Sequence, residues 1–247
     1  MIKAYFHIYY LSVRKSKSLW MSQVSKILFF GFVLLAYSAL WSNFANTSNW
    51  ILYFIITEWI FLASSESFRQ IESDIANGNV QILLNQPIDP FWSYLSMIWG
   101  QSTITATLVL FFGLFMHFFM FGFTQDFKQL PIVLIMGLMS IFTLTIFQFI
   151  LHILRFWMEN IRPIVLLWQK SALILGGVII PLSFYPPWLK SASQLTPFYS
   201  TLFLPASKIL TFQTFDWRLY GSSIVIWSLI GLILAKFLFQ QGFKKLN

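Results

Sequence analysis

Six apolar runs divide the chain, over about residues 24–43, 50–67, 94–122, 130–154, 163–185 and 219–240, with short polar or proline-bearing joints between them. Each is about 18 residues or longer, enough for a helix to cross a hydrocarbon core roughly 30 Å thick. The pattern predicts an all-α membrane protein with six transmembrane helices and both chain ends on one side. Ahead of the first run the pattern changes. Ile2, Tyr5, Phe6, Tyr9, Tyr10 and Val13 recur at helical spacing, with Lys3, His7 and Arg14 opposite. That predicts an N-terminal interfacial helix over residues 1–20, lying in the membrane surface with its rings at head-group depth. A second amphipathic stretch joins runs two and three. Phe68, Ile71 and Ile75 fall on one side, charged residues lie between them, and Asn77-Gly78 offers the left-handed geometry that ends helices. A short helix over 68–78 is expected, followed by an apolar turn in which Pro87 and Pro90 lead into the third run.

Composition strengthens this reading. Of 247 residues, 57% are hydrophobic, 20% aromatic and 10% charged, whereas a soluble domain carries about 25% charge. The chain reads as one transmembrane domain over residues 1–247. Sixteen Lys and Arg against eight Asp and Glu give a net charge of +8. In a membrane protein this places basic loops beside anionic lipid and implies no nucleic acid. Lys3, Arg14, Lys15 and Lys17 precede the first run, and the joint from Ser42 to Asn49 carries no charge. The positive-inside rule therefore puts the N-terminus in the cytoplasm, and six spans return the C-terminus there. Residues 1–20 lack the apolar core of a cleavable signal.

The absent motifs narrow the class. No phosphate-binding G-x-x-x-x-G-K-[ST], H-E-x-x-H zinc helix or G-x-S-x-G nucleophile turn occurs, and with no cysteine there is no disulfide or thiolate site. The chain is therefore not expected to be an enzyme or to hold a cofactor or metal of its own, and any energy it uses must come from a partner or an ion gradient. His7, His117 and His152 fall at different depths and suggest no shared metal site. Glu58 and Lys170 are the ionisable groups deepest in the runs, about 12 Å and 10 Å from opposite faces. Buried charge is costly, so both are candidates for the translocation path or for a paired relay. An ion-coupled secondary transporter would use them directly. A non-transporting scaffold or sensor would need them only for packing.

The residues around 68–90 also carry a resemblance. Ile71, Asp74, Ile75, Gly78, Leu83, Leu84, Pro87, Ile88, Asp89 and Pro90, then Gly176-Gly177, Pro181, Phe184, Pro186-Pro187-Trp188, Pro197-Phe198 and Pro205-Ala206, resemble in order the six-span permease subunits of type-2 ABC exporters. The resemblance implies a coupling helix formed by Arg69, Ile71, Glu72, Asp74, Ile75, Asn77 and Gly78, seated on a separate cytoplasmic ABC ATPase that holds ATP and Mg. It also implies re-entrant or outer-leaflet helices between spans five and six, with Pro181, Pro186, Pro187, Trp188, Pro197 and Pro205 at an outer gate. A second permease copy or a related permease would complete a dimer in the bacterial cytoplasmic (inner) membrane. The passenger it suggests is amphipathic or lipid-like.

Overall fold

A computed structural model describes residues 2–18, 20–42, 46–64, 69–80, 88–210 and 215–245. The fold is helical throughout, with no strand among the described residues. In chain order the helices are α1 (Ile2–Ser18), α2 (Trp20–Trp41), α3 (Thr47–Ser64), α4 (Arg69–Ala76), α5 (Pro90–Phe121), α6 (Leu130–Ile153), α7 (Arg162–Leu175), α8 (Pro187–Gln194), α9 (Leu204–Leu210) and α10 (Trp217–Lys244). Phe68, Leu83, Leu84 and Pro87 lie outside the described residues.

Among the described residues, four helical stretches are long and apolar enough to cross a membrane: α2, α5, α10 and residues Phe127–Phe156 around α6. They match the expected first, third, fourth and sixth runs to within a few residues. The other two runs differ from that simple picture. Helix α3 has 18 residues, of which 13 are buried. Its apolar side chains point in all directions, the pattern of a helix enclosed by others. The expected continuous helix over 163–185 stops at Leu175, after 14 residues. Gly177 there takes a φ of +67°, which side-chain-bearing residues rarely adopt, and Pro181 cannot donate the backbone bond that continuation would need.

Helix α3 packs against α2, α5, α6 and α9, and its indole at Trp59 donates to the Ala106 carbonyl of α5 over 2.9 Å. Around it an apolar core draws on α2, α5, α6, α7 and α9, including the stacked pair Tyr37–Phe54 with centroids 4.0 Å apart. A second core fills the opposite end of the bundle, where Phe91 of α5, Phe149 of α6 and Phe239 of α10 meet edge-on or tilted beneath Ile71 and Ile75 of α4.

The N-terminal helix forms as the periodicity predicts, but its neighbour is a protein helix. α1 lies along the first half of α5: Tyr5 Oη accepts from the Asp89 amide over 3.1 Å, and Tyr9 Oη meets Thr103 Oγ1 at 2.9 Å. Gly100 makes the approach possible, because a Cβ there would come 2.6 Å from the Tyr9 carbonyl oxygen. The expected apolar face is thus divided. Tyr5, Tyr9 and Ser12 turn toward α5, while Phe6 and Tyr10 stay exposed beside Lys3, His7 and Arg14.

Candidate functional site

Two places in this bundle depart from plain helix packing, and both contain residues singled out by the sequence. The first is α4. At 100° per residue, Ile71 and Ile75 share one side of an eight-residue helix, and both are buried. The helix ends as expected: Gly78 has a φ of +71°, and the Asn77 amide donates to the Ser73 carbonyl over 2.9 Å. Asp89 accepts from the Phe91 amide over 2.9 Å, so the Asp-Pro pair caps α5 with proline in its first turn.

The two α4 carboxylates turn toward the bundle. Glu72 Oε1 lies 2.5 Å from His152 Nδ1, one residue before the end of α6. Asp74 Oδ2 accepts from the Tyr94 hydroxyl of α5 over 3.1 Å. The positions left facing outward are Ser73, Ala76 and Asn77. Arg69 belongs to α4, but its side chain lies outside the described residues. Beside the helix is a polar recess of about 420 Å³, with Glu72 and Ser73 on one wall and Arg155, Glu159 and Arg162 on the other. Its two walls come from residues 72–76 and 155–162, so anything seated here would touch both segments.

The second place is the break after α7. Helix ends leave carbonyl groups without helical partners, and apolar surroundings make such groups costly. Here three tyrosines supply the donors. The Tyr185 hydroxyl donates to the Ile174 carbonyl over 2.9 Å, Tyr53 to Gly177 over 2.8 Å, and Tyr37 to Val178 over 3.3 Å. Tyr37 and Tyr53 reach in from α2 and α3, so the break is tied to the centre of the bundle. Beyond it, Pro181 precedes a single helical turn over Leu182–Phe184, Pro186 and Pro187 start α8, and Trp188 is exposed. The Pro197 carbonyl accepts from Ser200 and Thr201, and Pro205 is buried at the start of α9.

Glu58 and Lys170 are not brought together. Glu58 is buried on α3, Lys170 is exposed on α7, and no ion pair joins them among the described residues. His117 is likewise far from His152: its Nε2 meets the Ser48 hydroxyl and carbonyl at 3.2 Å. The residues that sequence reasoning missed are the acceptors' partners, Tyr94, His152, Tyr37, Tyr53 and Tyr185. The sequence set His152 at its own depth, apart from His7 and His117, and named no partner for it. No feature of the tyrosines distinguished them from ordinary packing.

The apolar helices and these two sites define a membrane-embedded bundle with a polar recess at one end, and the sequence carries no nucleotide-binding loop. Comparison with known families agrees. The sequence model described as ABC-2 family transporter protein matches residues 27–247, from within α2 to the last residue. The chain belongs to that family, whose members are the membrane permease components of ABC transporters and lack the ATPase site. A search of curated proteins returns no match.

Proposed function

We propose that this chain is the permease subunit of an ATP-driven exporter, moving an amphipathic or lipid-like passenger out across the bacterial cytoplasmic membrane. A separate cytoplasmic ATPase supplies ATP and Mg chemistry, and a second copy of this chain or a related permease completes the path. The observation that carries the reading is α4: a short helix bonded to two long ones, offering Ser73, Ala76 and Asn77 outward beside a polar recess. The basic residues of α1 and of the 155–162 turn support a cytoplasmic position for that end. An apolar groove of about 450 Å³ between α5 and α6, walled by Trp59, Trp99, Phe111 and Phe142, suits hydrocarbon. An ion-coupled reading would rest on Glu58 and Lys170 meeting; they are not bonded to each other.

The test is purification of the tagged chain in mild detergent from its native host, with identification of what accompanies it in stoichiometric amount. A soluble protein bearing a phosphate loop is the expected companion. A stable lone oligomer, obtained reproducibly, would refute the proposal.

A further inference from the structure

We infer that the Glu72–His152 and Asp74–Tyr94 contacts are paired struts that carry a displacement of α4 into α6 and α5, so that all four are positioning residues for transport. The inference rests on the reading that α4 meets the ATPase. Its ground is the arrangement of α4 in the round. With Ile71 and Ile75 marking the buried side, Glu72 and Asp74 fall about 80° to either side of it at 100° per residue. Ser73, Ala76 and Asn77 occupy the remaining, outward arc. The helix is therefore gripped on both flanks. Sliding or rolling it stretches one contact or the other, whichever way it moves.

The contacts also end in useful places. His152 is in the last turn of α6, and Tyr94 is one turn into α5. Between those helices, Phe91 and Phe149 rings meet at 5.6 Å, and the Trp99 indole donates to Thr145 Oγ1 over 3.0 Å. Phe239 of α10 touches the same rings. A close-packed region of this kind passes on a shift instead of absorbing it. An eight-residue helix could be held by its two isoleucines alone, and burying polar partners adds little net stability over apolar ones. What the polar contacts add is direction, since a hydrogen bond resists angular change and an apolar contact does not.

The chain has no cysteine, so a single reporter can be placed cleanly. Met139→Cys on α6 is exposed, and its labelling rate by a maleimide dye is read in native-host vesicles with and without ATP, Mg and vanadate. Tyr94→Phe with His152→Gln should shrink the nucleotide-dependent change in rate about fivefold. The amount of ATPase that co-purifies should stay the same, because neither residue faces outward. The exchanged pair, Glu72→His with His152→Glu, should restore part of the response. An undiminished response in the double variant would overturn the struts, and so would loss of the ATPase from it, which would make these groups docking contacts. Where the double variant elutes as aggregate, Tyr94→Phe alone, which removes one oxygen, is read by the same ratio and judged the same way. If the reporter chain with native struts brings down no ATPase, the permease reading itself fails and takes this inference with it.

Discussion

At Gly137 the side chain of Trp59 crosses α6 so closely that a Cβ would come 2.1 Å from the indole Cζ3. The ring cannot retreat easily, because its nitrogen is bonded to Ala106 of α5. One indole therefore sets the spacing of three helices, and the residue opposite it has to be glycine. Gly137→Ala is expected to destabilise the chain by about 1–3 kcal/mol, the range for overpacking a filled core. Gly221 on α10 is the control: nothing lies within 4 Å of a Cβ built there, so Gly221→Ala should leave stability unchanged or raise it slightly. Thermal denaturation in detergent, followed by the monodisperse fraction on gel filtration, separates the two. Equal midpoints would mean that Trp59 moves aside and does not fix the spacing.

Among the elements, α7 and its break show what polar capping does inside apolar surroundings. The Tyr53 and Tyr37 hydroxyls fill the Gly177 and Val178 carbonyls that the interrupted helix leaves open, while Tyr185 adds a second donor to the Ile174 carbonyl, which the Gly177 amide also reaches; an unfilled buried acceptor costs about 1–3 kcal/mol. Tyr53→Phe should therefore speed amide exchange in the 174–180 segment about fivefold or more, while Tyr10→Phe, on the exposed side of α1, should not. Hydrogen exchange read by mass spectrometry decides it, and identical exchange in both variants would remove the hydroxyl caps from the account. The same segment shows where sequence stops being legible. Helix ends were readable wherever the signal is local: Asp89-Pro90 starts α5, and Asn77-Gly78 stops α4. The 163–185 run, by contrast, was read as one span straight across Gly176-Gly177, and the irregular backbone there went unread. Two of the three donors that make such backbone tolerable come from 124 and 141 residues away in the sequence, and tyrosine serves equally well as packing. Periodicity likewise put Ile71 and Ile75 inward, but it could not tell whether flanking Glu72 and Asp74 reach out to a partner or back to α5 and α6. For α1 it found an amphipathic helix and could not foresee that the mate of its tyrosines is protein.

For the whole molecule, the uneven coverage of its helices points to how copies assemble. α3 is enclosed, whereas in α7 Ala172 alone is buried, and Pro163, Leu166, Leu167, Lys170 and Ile174 of that helix are exposed. A lysine facing hydrocarbon costs roughly 2.5–3.5 kcal/mol near mid-bilayer on insertion scales. Lipid alone is thus a poor cover for this stripe, while on the exposed side of α10 Ile226, Ile230, Ile233 and Phe237 offer hydrocarbon to hydrocarbon, with Lys236 set toward the helix's basic C-terminal end. On the proposed reading, the α7 stripe lies at the seam between two permeases and α10 faces lipid. A residue near a twofold axis meets its own copy, which makes the arrangement testable with one thiol. Leu167→Cys, in a chain with no other cysteine, should give a disulfide-linked product of twice the chain mass when membranes are oxidised. Ile233→Cys, equally exposed on α10, should stay monomeric under the same treatment. Crosslinking at 233 without crosslinking at 167 would place the seam on α10 and leave Lys170 to reach the membrane surface along its own side chain.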